Sequence, residues 1–242
     1  MVGVKSAEYV ITMISFFMAY LFVVTFVGYF RAWIADKMGD DSAVEAGYLT
    51  FNPLPHMDII GMVCLFLFQI GWGNFNMPLN PSNIISVNPI VRWLKLALVY
   101  FSDTIAHVTL ATFAMVSLLG MFGQGVINLS VGMMLHGQLS HMLFASNYPT
   151  SPSMMISLAL ILIASIYLNV FLAGINLVFR GLELAMMYII EKSPEYAKYN
   201  NMATIFLYAI IVSIFITPEL RFFLIMLIAR SGLLIAHLFG AL

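Results

Sequence analysis

The chain has 242 residues, of which 62% are hydrophobic and only 9% are charged, and its mean hydropathy is +0.98. Because soluble domains carry about a quarter of charged residues, most of this chain is expected to face lipid. A formal net charge of −1 without a basic block excludes the electrostatic footprint of a nucleic-acid-binding protein. The single cysteine, Cys64, excludes an intrachain disulfide.

Six apolar runs are expected to form membrane-spanning helices, because crossing the hydrocarbon takes about 20 apolar residues. In chain order they cover residues 9–34, 58–72, 93–122, 154–179, 202–217 and 220–239, and the second run is short. These runs occupy most of the chain. We therefore expect one integral membrane domain over residues 1–242, an all-α polytopic protein with about six transmembrane helices.

The connections between the runs have different characters. Residues 40–55 alternate in the manner of strands and contain turn residues, which predicts a short β-hairpin or ribbon between the first two helices. Residues 71–91 are rich in Gly, Asn and Pro and predict an ordered loop. Residues 123–153 contain no Lys, Arg, Asp or Glu, which favours a helix lying in the membrane interface.

The lysines and arginines give an expected orientation. If all six runs cross the membrane, six of these residues lie on the side of the N-terminus, three lie on the opposite side, and Arg230 lies inside the last run. An excess of Lys and Arg marks the cytoplasmic side. The expectation is therefore a cytoplasmic N-terminus.

The segment AGYLTFNPLPHMDIIG, residues 46–61, resembles the G-x-L-T-x-N-P-x-x-H-x-D-x-x-G run of the site-2 protease family of intramembrane zinc metalloproteases. The residues that carry this resemblance are Asn52, Pro53, Pro55, His56, Asp58 and Gly61. Gly71-Trp72 with residues 76–83 is similar to the family's G-W…P-V-x-x-N-P-x-N loop, and residues 193–211 are similar to its P-P-E-Y…P-Y-G-F segment. The resemblance implies the core of a site-2 protease, in a bacterial cytoplasmic (inner) membrane.

The resemblance also locates the family's first zinc motif, H-E-x-x-H, directly before Ala32-Trp33-Ile34-Ala35. Its two histidines bind zinc and its glutamate is the general base. Here Val27 and Arg31 replace the histidines, and Gly28 replaces the glutamate. Valine has no lone pair, arginine stays protonated and repels a dication, and glycine accepts no proton.

The family's other two signatures are altered as well. The third zinc ligand comes from N-x-L-P-x-x-P-L-D-G, but residues 168–186 contain neither a proline nor Asp-Gly, and Glu183 lies one position from the expected aspartate. The asparagine of the family's G-P-x-x-N signature falls on Thr104 or on His107. The resemblance therefore implies a degenerate member, a pseudoprotease, for which we expect no metal and no cofactor.

Two possible roles are expected for each of two other pairs of polar residues. His56 and Asp58 form either a polar site or a turn that caps the second helix. Asp103 and His107 are four residues apart and share a helix face, so they form either a proton route or a hydrogen bond that fixes helix packing. Candidate buried polar groups, or contacts to a partner or to lipid, are Asp103, His107, Arg180, Glu183 and Arg230.

The sequence thus favours a catalytically inactive, site-2-protease-like accessory subunit of a membrane protein complex. Its expected partners are other integral membrane proteins and membrane lipids, because the loops offer little surface to soluble proteins. Two alternatives stay open: an intramembrane protease with an altered site, and a proton- or ion-conducting element that uses Asp103 and His107.

Overall fold

A computed structural model describes residues 2–74, 76–136 and 139–195, and over these residues the protein is mainly helical. The elements in chain order are α1 (Val2–Met38), α2 (Ser42–Glu45), a 3-10 turn (Leu54–His56), α3 (Ile59–Phe68), α4 (Pro89–Phe122), α5 (Gly125–His136), α6 (His141–Asn147) and α7 (Ser153–Lys192).

Three long helices, α1, α4 and α7, form the bundle that holds the core. They have 37, 34 and 40 residues, and each is long and apolar enough to cross a membrane. This confirms helices at the first, third and fourth predicted spans. The fifth and sixth spans, residues 202–217 and 220–239, lie outside the described residues, as does Arg230, so the described residues contain three candidate spans where four were predicted.

The second predicted span, residues 58–72, is shorter than expected. Its helix, α3, has ten residues, which is about 15 Å at 1.5 Å per residue and about half of the hydrocarbon thickness. Asp58 begins α3 as its N-cap, because its side chain accepts a hydrogen bond from Gly61 N at 2.9 Å. Gln69 ends α3 in the left-handed region, with φ 59°.

The segments that precede and follow α3 lie side by side. Met57 and Gly73 form an antiparallel bridge, and Asn74 N donates to the carbonyl of His56 at 2.9 Å. The chain therefore runs along α3 and returns through residues 70–74 to the segment that precedes α3.

The predicted β-hairpin between the first two helices is absent from the described part of the chain, where residues 40–55 contain α2 and the start of the 3-10 turn but no strand. Two physical features explain the difference. Asp40 accepts from both the backbone N and the hydroxyl of Ser42, which starts a helical turn. Pro53 and Pro55 have no N–H to donate to a strand ladder. The predicted loop over residues 71–91 has no regular element before α4, whereas α5 and α6 lie within the predicted interfacial segment.

One end of the bundle joins the C-terminal ends of α1 and α7 to the N-terminal end of α4, and we call it the cationic end. There Ile34, Leu96 and Ile84 share a small buried cluster, and Arg92 pairs with Glu191 at 2.8 Å. The loop between α1 and α4 thus leaves from this end and returns to it.

The opposite end, here called the α5–α6 end, is fastened to the first turns of α1. The carboxylate of Glu8 accepts from the backbone N atoms of His141 at 2.8 Å and Met142 at 3.0 Å. Thr12 Oγ1 donates to the carbonyl of Leu139. Glu8 therefore satisfies backbone donors at the start of α6, where no helical acceptor exists.

Replacing Glu8 by Ala should lower the free energy of unfolding by about 1–2 kcal/mol, the usual loss when a helix cap is removed. Thermal unfolding in detergent, followed by tryptophan fluorescence, measures the change. Glu45→Ala, at an exposed position on α2, is the matched control and should leave the transition unchanged. Equal transitions for the two variants would contradict the capping role.

Candidate functional site

The three residues at the zinc-motif positions lie on one stretch of α1, but they face different surroundings. Val27 is 4% exposed and belongs to the main apolar core. Arg31 is equally buried, at 4%, and lies one helical turn beyond Val27 on the same face. Gly28 faces the loop that surrounds α3.

The backbone of Gly28 is in direct contact with two polar side chains of that loop. A Cβ atom at Gly28 would lie 2.0 Å from Asn74 Oδ1 and 2.2 Å from His56 Nδ1. His56 and Asn74 are hydrogen-bonded to each other, with His56 Nδ1 2.7 Å from Asn74 Oδ1. Asn74 Nδ2 donates to the carbonyl of Val24 at 2.8 Å. The space that a side chain at position 28 would occupy is therefore filled.

Tyr20, which lies closer than Gly28 to the N-terminus of α1, holds the same loop. Its hydroxyl donates to the carbonyl of Trp72 at 3.0 Å and accepts from Asp58 N at 3.2 Å. Non-helical backbone at membrane depth must find its hydrogen-bond partners within the protein. Tyr20 and Asn74 provide such partners.

The segment that resembles the protease family forms the turn that enters α3. Asn52 Oδ1 accepts from Leu54 N at 3.2 Å, and Pro53 precedes the 3-10 turn that contains Pro55. His56 is fully buried and its Nε2 lies 2.9 Å from the carbonyl of Thr50.

Glycine is needed at position 61 because the returning chain touches it. A Cβ atom at Gly61 would lie 2.0 Å from the carbonyl oxygen of Trp72. Gly61 and the Gly71-Trp72 pair, which come from two separate parts of the resemblance, are thus in contact.

Arg31 meets α4 and α7 in a buried ion-pair cluster. Arg31 Nη1 lies 3.1 Å from Asp103 Oδ2, and Arg180 Nη2 lies 3.2 Å from the same oxygen. Arg180 Nη1 lies 2.7 Å from Glu183 Oε2. We call these four residues the Arg–Asp cluster. It brings Arg31, the last position of the expected H-E-x-x-H motif, together with Arg180 and Glu183 from the segment in which the third-ligand motif was expected.

The Arg–Asp cluster combines two guanidinium groups with two carboxylates, so its formal charges cancel. Several polar atoms in it are buried without a partner: Arg31 Nε, Asp103 Oδ1 and Arg180 Nε. Breaking a buried ion pair by removing one partner typically destabilises by about 3–5 kcal/mol, because the remaining charge is uncompensated. Arg31 of α1 and Asp103 of α4 therefore each depend on a charge that another helix supplies.

His107 lies on the same helix face as Asp103 but has a different partner. His107 Nδ1 is 2.8 Å from Asn169 Oδ1 on α7, and Asn169 Nδ2 donates to the carbonyl of Ser165 at 2.8 Å. The structure thus places Asp103 with two arginines and His107 with an amide. Both residues join α4 to α7.

Two residues that the sequence reasoning missed hold the loop in place. Asn74 has a positive φ of 60° and fills the space beside Gly28. Asp40 is fully buried and accepts from Asn80 N at 2.7 Å and from Asn83 Nδ2 at 3.1 Å. Two signals in the sequence could have indicated these residues: the asparagine follows Gly-Trp-Gly, and the aspartate lies just beyond a helix end.

Among the described residues, no group of three or more His, Cys, Asp or Glu side chains is placed to hold a metal ion. The Arg–Asp cluster offers two carboxylates, and both are engaged by arginines.

One curated protein is similar to part of the chain. The "Putative zinc metalloprotease YwhC" of Bacillus subtilis (strain 168) is 32% identical over 79 residues, an alignment that covers 29% of this chain and 36% of that protein. The chain thus matches about a third of the length of this relative. No family model and no solved structure matches the chain. The similarity suggests a site-2-protease-like family of membrane proteins, and the relative's name points towards an enzyme.

Replacing Gly28 by Ala should destabilise the protein, because the added Cβ overlaps Asn74 and His56. Overpacking usually costs about 1–3 kcal/mol, which should appear as a lower unfolding temperature in detergent. Gly174→Ala in α7 is the matched control, since a Cβ there meets nothing within 4 Å. The control should be neutral or stabilising. An unchanged transition for Gly28→Ala would show that the loop does not pack as described.

A double-mutant cycle tests the Arg–Asp cluster. Asp103→Leu should destabilise by about 3–5 kcal/mol, because it leaves Arg31 buried without a partner, whereas Arg31→Met should cost less, because Asp103 keeps Arg180. The double variant should lose clearly less than the sum of the two. Additive losses would contradict a direct pairing of Arg31 with Asp103.

Proposed function

We propose that this protein is a catalytically inactive, site-2-protease-like membrane protein that serves as a structural or accessory subunit of a membrane protein complex. The observation that carries the proposal is the filled space beside Gly28. His56 and Asn74 occupy the volume that a general base on α1 would need.

The charges of the site support the same conclusion. A zinc-activated hydroxide requires neutral or anionic ligands around a cation. In the Arg–Asp cluster two guanidinium groups surround a carboxylate instead, and arginine does not deprotonate in proteins. A dication at this position would be repelled by both arginines.

The accessory role rests on the outer surface of the bundle. Large apolar side chains are exposed on the halves of α4 and α7 that lie near the cationic end. They include Ile90, Leu94, Leu98, Leu177, Val178 and Leu182. In a bilayer such surfaces contact lipid or the helices of neighbouring proteins.

The competing function is an intramembrane protease with an altered site. The similarity to a protein named as a metalloprotease favours it. An active variant would have to assemble a new ligand set, and the carboxylates nearest the old site already pair with arginines. For this reason the inactive form is the better account of the geometry.

Metal analysis separates the two functions. The protein purified from zinc-supplied cells should retain far less than one zinc per chain after a chelator wash, because Val27 and Arg31 stand where the resemblance places the histidine ligands. Cleavage of a transmembrane test substrate should not exceed the level seen with an unrelated membrane protein. One retained zinc per chain that is lost in His56→Ala, together with chelator-sensitive cleavage, would establish the protease instead.

The accessory role has a separate test. Purification from the native membrane in a mild detergent should give a companion membrane protein at a constant ratio in independent preparations. A lone monomer in mild detergent and in lipid nanodiscs would contradict the accessory role, whatever the zinc content.

A further inference from the structure

The start of α4 and the end of α7 meet at the cationic end through a pair of aromatic rings. The ring centroids of Trp93 and Tyr188 lie 5.3 Å apart, and the rings meet edge to face. Tyr188 is 49% exposed, so the pair reaches the outer surface of the bundle. Tryptophan and tyrosine are enriched at the level of the lipid headgroups, where the ring has apolar surroundings and its polar atom meets water. The pair therefore indicates where the headgroups lie on this side of the bundle.

A cation lies beside each ring of this pair. Arg92 Cζ is 5.8 Å from the centroid of the Trp93 ring, and Lys192 Nζ is 5.8 Å from the centroid of the Tyr188 ring. The four side chains form one row from α4 to α7, which we call the aromatic–basic row: Arg92, Trp93, Tyr188 and Lys192. Two cations are thus placed at the ends of an aromatic surface.

Arg92 is held in position and keeps a donor for another molecule. Its Nη1 donates to Glu191 Oε1 at 2.8 Å, and its Nε donates to the carbonyl of Ile84 at 3.2 Å. Its Nη2 makes no hydrogen bond to the described residues, and the side chain is 25% exposed. Because the guanidinium is already fixed, little side-chain entropy is lost when Nη2 binds an acceptor.

The surface around the aromatic–basic row keeps a net positive charge. Lys192 makes no ion pair with a described residue, and Lys95 adds a charge one helical turn from Arg92. The carboxylates that follow α7 or end it are Glu191, which binds Arg92, and Glu195, which is exposed. Three cations therefore face two carboxylates, and this surface is complementary to an anion.

Apolar side chains continue from the row along both helices. Four of them are exposed on the turns next to Arg92 and Lys192 or further along the same helices: Leu94, Leu98, Leu182 and Ile189. A free anion would leave this apolar surface uncovered. A phospholipid matches both parts, because its phosphate meets the cations while its acyl chains cover the apolar side chains.

We propose that the aromatic–basic row binds the phosphate of an anionic phospholipid, such as phosphatidylglycerol, whose acyl chains follow the exposed apolar side chains of α4 and α7. Arg92 Nη2 and Lys192 Nζ donate to the phosphate oxygens, and Trp93 and Tyr188 pack against the glycerol backbone. Phosphatidylcholine carries the same phosphate with a positive choline group, which the cations repel. None of these residues belongs to the zinc-motif positions, so the test of this site is independent of the proposed function.

Native mass spectrometry of the full chain, released from detergent micelles, tests the lipid and its charge. Phosphatidylglycerol or phosphatidylcholine with identical acyl chains is added in steps, and the fraction of protein with one bound lipid is measured. Phosphatidylglycerol should bind at least about five-fold more tightly. Equal affinities would overturn the proposal. Inorganic phosphate in excess over the lipid should leave phosphatidylglycerol bound, and its displacement would assign the site to free phosphate and overturn the lipid as occupant.

Two variants and a matched control test the position of the site. Lys192→Gln and Arg92→Gln should each weaken the binding of phosphatidylglycerol about five-fold. Lys37→Gln removes a positive charge from the same end of the bundle, where Lys37 pairs with Asp36, and should leave the affinity unchanged. An equal loss in all three variants would show unspecific attraction by charge and overturn the site.

The Lys192→Gln variant decides the outcome if Arg92→Gln does not fold. Arg92→Gln also breaks the pair with Glu191, so its unfolding temperature in detergent is measured alongside lipid binding. Lys192 has no ion pair to lose among the described residues, and its variant should unfold at the temperature of the unchanged protein. Undiminished binding of phosphatidylglycerol by Lys192→Gln would overturn the proposal.

Discussion

The contact between Gly28 of α1 and the loop around α3 is the constraint on which the rest of the site depends. Only a residue without a side chain lets His56 and Asn74 approach the backbone of α1, where Asn74 also bonds the carbonyl of Val24. That approach positions the turn that begins α3 and the chain that returns from it. In the proposed function the same absence of a side chain leaves α1 without a general base at this position.

The Arg–Asp cluster joins α1, α4 and α7 through charged side chains. A zinc site places a cation at the centre of neutral and anionic ligands. Here the central group is an anion, Asp103 of α4, and the surrounding groups are the cations Arg31 of α1 and Arg180 of α7. This arrangement of charges is the reverse of that in a zinc site. Asp103 of α4 is the group through which α1 and α7 are connected. Glu183 balances the second arginine, which keeps the buried cluster neutral and reduces the cost of desolvation.

Hydropathy predicted the long helices because their apolar runs exceed the thickness of the hydrocarbon. It could not distinguish a full crossing over residues 58–72 from the ten-residue helix α3, since both need an apolar run. The difference lies in contacts between distant residues, such as Met57 with Gly73 and Tyr20 with Trp72. The strand prediction over residues 40–55 failed for a related reason. Alternation indicates strands only where a neighbouring strand can pair, and none is available in the described chain.

The resemblance implied that Val27, Gly28 and Arg31 stand at the positions of the family's first zinc motif, but it could not indicate what these residues contact. The partners Asn74 of Gly28 and Asp103 of Arg31 lie 46 and 72 residues further along the chain. The structure links the retained and the altered motifs. His56 belongs to the best-matched segment, and its packing against Gly28 leaves no room for a glutamate at that position. Any side chain at position 28 would therefore displace His56 and Asn74 from their places beside α1.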